Sequence, residues 1–168
     1  MSLSAALQVA YASNPKGPPP LETLELDNAT FASPARLLVS GGNENVMLPL
    51  TLGGDPVEFI WCPTQVTLPG VSVDGPTPMR LRINNVTKVL LPYLRLAVGS
   101  TLPITVVYRA YAASDLTQPG QVLSGFRIKV ASMDAASVEA TVTLKEIELQ
   151  AFPLLTYDET YYPTLQNN

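Results

Sequence analysis

The chain has 168 residues, enough for one domain with a hydrophobic core of its own. Apolar residues make up 46%, which excludes wholesale disorder, and charged residues only 14%, against an average of about 25%. A chain this poor in charge, with a net charge of −4, has little polar cover, so part of its surface is expected to be buried against partners.

Near the start, Leu3, Ala6, Leu7 and Ala10 fall on one helical stripe that Ser2 or Ser4 can cap. The helix must stop before "SNPKGPPP", whose prolines make a stiff, extended spacer. Residues 1–20 therefore read as a helix and spacer, with the helix an appendage that docks on the main body.

Strand signals dominate from Leu21. "LETLEL", "ARLLVS", "VEFIWC" and "QVTLPG" are short candidates bounded by Asn, Gly or Pro, and "GGNEN" and "GGDP" are turn clusters. A Gly-Pro-rich connection, "VSVDGPTP", leads to "PMRLRINNV". There Met79, Leu81 and Ile83 alternate with Arg80, Arg82 and Asn84, the pattern of a half-buried strand. The period then changes. Val86, Val89, Leu90, Tyr93, Leu94 and Ala97 recur at helical spacing, giving a central helix near 85–98. Pro92 must end this helix, kink it, or occupy the first turn of a second short one.

"PITVVYRAY" returns to β-branched and aromatic residues. "QVLSGFRIKVASM" and "SVEATVTLKEIEL", separated by "DAA", predict a wide antiparallel hairpin. In its second arm, Val138, Ala140, Val142 and Leu144 line an apolar face opposite Glu139, Thr141, Thr143 and Lys145. Residues 21–150 thus form a mainly β core domain, a sandwich or barrel with one flanking central helix and the short N-terminal helix. Residues 151–168 form a C-terminal arm. Tyr157, Tyr161 and Tyr162 concentrate there, and such aromatics are expected to dock on the chain's own domain or on a neighbour.

Chemistry is sparsely signalled. Histidine is absent, which removes the usual general base and the commonest metal ligand. The single cysteine, Cys62, reads as a small buried hydrophobe. No acidic cluster or glycine-rich phosphate motif occurs, so no catalytic, cofactor-binding or metal site is expected. The "NAT" and "NVT" triplets at Asn28 and Asn85 read as chance matches to a glycosylation acceptor, since the opening residues lack signal-peptide features. No stretch reaches the roughly 18 apolar residues of a membrane span, so a soluble protein made in the cytoplasm is expected.

Charge is distributed unevenly. Arg80, Arg82, Lys88, Arg95 and Arg109 lie between Gly75 and Ser114, where no Asp or Glu occurs. Such a block meets acidic residues of another subunit, faces solvent, or binds a polyanion. The acidic remainder of the chain argues against sequence-specific nucleic-acid binding.

The order "ALQVAYASN", "FIWCPTQVTLPG", "PMRLRINNV", helix, two long strands and "FPLLTYDETYYPTL" resembles a group of small tail-tip proteins of long-tailed bacteriophages, many known only as a conserved domain of unknown function. The most specific part runs from Phe59 to Val86. Asn84, Asn85 and Thr87 depart from the acidic residues usual at that turn, and Pro92 interrupts the helix. The resemblance implies a non-enzymatic virion structural protein of the distal tail type, made in the host bacterial cytoplasm and residing in the tail tip or baseplate. It implies a tail-tube-like fold and a homo-oligomeric ring, six-fold favoured over three-fold, joining tail tube to hub proteins without cofactors or membrane. Arg80, Arg82, Lys88, Arg95, Arg109, Tyr157, Tyr161 and Tyr162 are the candidate subunit interface. The alternative is a receptor- or carbohydrate-binding module with Trp61 or the tail tyrosines as its platform.

Overall fold

The computed structural model describes residues 4–12, 18–72, 75–84, 90–98, 102–133 and 137–144. The strands are β1 (Leu21–Asp27), β2 (Ala35–Ser40), β3 (Val46–Pro49), β4 (Pro56–Trp61), β5 (Thr64–Thr67), β6 (Gly70–Ser72), β7 (Gly75–Thr77), β8 (Met79–Asn84), β9 (Thr105–Tyr111), β10 (Gln121–Met133) and β11 (Ser137–Leu144). Two helices, α1 (Ala5–Ala12) and α2 (Leu91–Val98), complete the described elements. Nine strands make one mixed sheet in the order β3-β4-β2-β1-β9-β10-β11-β8-β5. The β6–β7 hairpin stands apart, in a segment whose sequence reads as a plain connection.

The fold is mainly β, as its alternating segments predict. β4 lies near one end of the strand order and β5 at the other, yet only Cys62 and Pro63 separate them. β4 pairs with β2 in parallel, and Cys62 N donates to Leu38 O to continue that ladder; β5 then pairs antiparallel with β8. The sheet must therefore curl until its ends approach, and β5 comes up beside β2. No β2–β5 ladder forms among the described residues, so the curl is a barrel-like sheet with a seam.

Alternate residues of the curled strands point inward to one core. Leu24 and Leu26 of β1, Val106 and Tyr108 of β9, and Val138, Ala140 and Val142 of β11 are buried there. Met79, Leu81 and Ile83 of β8 join them, while Arg80 and Arg82 face outward. A sheet of about this many strands encloses just enough room for its own side chains. β10 must break its period to contribute both Leu123 and Phe126. It does so at a bulge where Gly125 takes φ 85°, a conformation that suits glycine.

A helix covers each end of the curl. At one end Ser4 N donates to Gly120 O, Ser4 Oγ caps Leu7 N at 3.3 Å, and Leu7 is wholly buried in the core. A Cβ on Gly120 would meet Ser4 Oγ at 2.6 Å, so glycine permits this docking. The N-terminal helix thus docks on the main body and also supplies a core side chain, Leu7; residues 13–17 of the spacer lie outside the described residues. At the other end Tyr93 of α2 packs on the core and meets Phe31 edge-on, with ring centroids 5.1 Å apart. Pro92 sits in the first turn of α2, where no intrahelical N–H bond is required. Residues 85–89, the start of the predicted central helix, lie outside the described residues.

The β3–β4 hairpin lies outside the curl. Leu48 and Phe59 pack with Leu38 and Tyr111 in a second core on the outer face of β2 and β9. Tyr111 Oη donates to Pro49 O at 2.8 Å and ties the hairpin down. β2 is consequently covered on both faces, and β3 is a strand that the "GGNEN" turn signal did not reveal.

Leu7→Ala should destabilise the fold by about 2–4 kcal/mol in urea denaturation, the cost of a cavity in a well-packed core. Val9→Ala on the exposed side of α1 should change stability by less than about 0.5 kcal/mol. Equal effects would show that α1 is not part of the core.

Candidate interaction faces

Two outward faces of the sheet carry the arginines. The first spans β5, β8, β11 and β10. Strand register sets Gln65, Arg82, Glu139 and Ser132 in one cross-strand row and Thr67, Arg80 and Thr141 in the next. Arg82 Nε lies 3.3 Å from Glu139 Oε1, with both side chains more than half exposed. Such a pair contributes little to stability because water competes for both ions. Among the described residues Arg80 has no ion-pair partner. A shallow groove of about 360 Å³ follows these rows, and a cleft of about 420 Å³ beside it reaches the seam at Val39, Pro63 and Thr64.

The second face covers β2, β1 and β9. Glu25 stands opposite Arg36 in the β1–β2 ladder. Its Oε2 accepts from Arg36 Nε at 3.0 Å and lies 3.5 Å from Arg109 Nη1. Arg109 is 9% exposed, and among the described residues its Nε and Nη1 are buried without a hydrogen-bond partner. Desolvating a guanidinium is costly unless a charge offsets it, and Glu25 is the carboxylate that does so here. The block of five basic residues thus does not form one patch. Arg80 and Arg82 share the first face, Arg109 is held by its own chain on the second, and Arg95 is exposed on α2. Lys88, Tyr157, Tyr161 and Tyr162 lie outside the described residues.

Sequence reading placed Arg109 with the wrong neighbours because it counted charge along the chain. The signal for the true arrangement was present: in a tight "LETLEL"/"ARLLVS" hairpin, Glu25 and Arg36 share an outward face. Trp61 is half-buried against the second core, which leaves little of its ring as an open platform. Asn28 is 5% exposed; its Nδ2 donates to Leu102 O at 2.8 Å, and its Oδ1 accepts from Thr30 N, so this amide braces a turn. Cys62 is fully buried, as its reading as a small hydrophobe predicts.

Three tyrosines show how burial and nearby charge act on a phenol. Tyr108, buried in the main core, donates to Glu22 Oε1 at 3.0 Å. Burial, then the Glu22 charge, pushes its phenol well above the ordinary range, and the same two causes raise Tyr11 beside it. Tyr111 is pushed up to about 12, first by burial; Glu25 adds to the rise and Arg109 opposes it.

A family model, "Domain of unknown function (DUF1833)", matches residues 6–157. The chain belongs to this family. The match runs from α1 past the end of β11, so it takes in the docked helix and the whole curled sheet. No curated protein matches the chain.

Glu25→Gln should cost about 1–3 kcal/mol, because it leaves two arginines facing each other without a counter-charge. Arg109→Met should cost less, since it removes the poorly satisfied partner; a larger loss for Arg109→Met would contradict this account of the triad. Raised phenol pKa values mean that the folded state holds protons the unfolded state releases. That stability is complete below the unfolded value near 10 and is lost as pH rises through it toward about 12. Urea midpoints measured from pH 8 to 11.5 should stay level and then fall, and a tyrosine absorbance titration should show a late-ionising class that appears only on unfolding.

Proposed function

We propose that this DUF1833 protein is a structural subunit of a bacteriophage tail tip or baseplate, in a ring that joins tail tube to hub. The observation that carries the reading is an ordered, outward arginine face on a charge-poor chain. Across β5, β8, β11 and β10 the sheet presents rows of polar side chains in which, among the described residues, Arg82–Glu139 is the one ion pair and Arg80 has no ion-pair partner. Rigid, charge-bearing sheet faces suit register-specific contact between subunits. The interior supports the same reading. The cavity beneath α2 holds only about 30 Å³, is apolar, and is lined by residues such as Leu26, Ile83, Tyr93 and Val138. That cavity leaves little room for a ligand, in keeping with a role played at the outer surface. The resemblance of "FIWCPTQVTLPG" and "PMRLRINNV" to tail-tip proteins supplies the particular assembly.

Mass spectrometry of purified virions, with imaging of labelled protein on particles, tests the proposal: the protein should appear in stoichiometric amounts at the distal end of the tail. A stable monomer absent from virions refutes it. In the same system, Arg80→Glu combined with Arg82→Glu should fold normally, because Met79, Leu81 and Ile83 carry the core contacts of β8, and should lower the yield of complete tails by about tenfold or more. Normal tails from this variant would mean that the two arginines merely face water.

A further inference from the structure

The β3–β4 hairpin and the segment around it carry charge of one sign. Between Arg36 and Arg80 there is no Lys or Arg, while Glu44, Asp55, Glu58 and Asp74 all fall in that interval. Glu44, Asp55 and Glu58 are exposed, and among the described residues none of them has an ion-pair partner. Glu58 stands directly opposite Met47 in the β3–β4 ladder, on the side facing away from Leu48 and Phe59. Met47 is 58% exposed and Leu52, at the hairpin's turn, is 71% exposed. The hairpin and the residues flanking it therefore expose three acids together with two large apolar side chains. The sheet face of β5, β8 and β11 carries the opposite charge: among the described residues Arg80 has no ion-pair partner, Arg82 is only weakly held by Glu139, and a groove runs along their rows. The two surfaces are joined by the Cys62–Pro63 link, and they exchange no ion pair within the described chain.

We propose that the acidic β3–β4 hairpin of one copy docks on the Arg80/Arg82 face of the next, making a head-to-tail contact between copies of this chain. Complementary surfaces at two different places on one molecule generate a heterologous interface, which closes into a ring or continues as a filament according to the rotation per subunit. Opposite charge sets the register and speeds encounter, while Met47 and Leu52 bury apolar area at its centre. The inference builds on the assembly reading above by naming which surfaces meet.

Charge exchange tests it in the full-length protein. Self-association is measured by sedimentation velocity across concentration and salt, with circular dichroism to confirm folding. Wild-type protein should associate, and raising the salt should weaken that association. Arg80→Glu with Arg82→Glu, and separately Asp55→Lys with Glu58→Lys, should each weaken association by about tenfold or more. An equimolar mixture of the two variants should associate again, because each then offers the surface that complements the other. A wild-type protein that stays monomeric at high concentration and low salt overturns the inference, as does a hairpin variant that associates normally or a mixture that fails to recover. Binding of a nucleic-acid duplex by the arginine face without self-association also overturns it. The virion measurement is independent: a protein found at the tail tip whose hairpin variant still associates defeats this contact but not the assembly reading.

Discussion

Cys62 and Pro63 separate a strand laddered to β2 from a strand laddered to β8. Laid flat, the sheet would put seven strand intervals between β4 and β5, about 33 Å at the usual spacing. Two linking residues reach roughly 10 Å. The sheet can satisfy both ladders only by curling, and curling is what turns the inward rows of seven strands into one core. Leu7 and Tyr93 can then cover the two ends, since a curled sheet has ends that a flat one lacks. The bulge at Gly125 has the same origin, because a strand bent round a core must shift its phase to keep Leu123 and Phe126 inside.

On β2, β1 and β9 the curl is also occupied on its outer side. β2 receives the β3–β4 hairpin on its outer face, and the Arg36–Glu25–Arg109 triad lies on the same side of the sheet. This side is thus occupied by the chain itself. The opposite wall, β5, β8 and β11, carries short polar side chains and exposed arginines with no second layer among the described residues. The wall that carries Arg80 and Arg82 is thus the one that the described chain leaves uncovered.

The DUF1833 match takes in the docked helix and the curled sheet together. A fold can host many functions, and the functional reading rests on the character of particular faces. Here those faces are one basic, one acidic with apolar tips, and one internally neutralised.

Period and composition by themselves determined most of the strands, the mainly β class, the stripe of α1 and the inward set Met79, Leu81 and Ile83. These follow from local rules, since alternation marks a half-buried strand whatever its neighbours are. The identity of the neighbours lay beyond those rules. That "WCP" joins the two ends of the sheet, that Leu7 enters the core, that β3 exists, and that Arg109 belongs with Glu25 and not with Arg80 all depend on which strands pair across many residues of sequence. Charge counted along a chain becomes a patch only if the pairing brings it to one face. In this protein the pairing divided it between two, because β8 and β9, though near in sequence, stand on different walls of the curl.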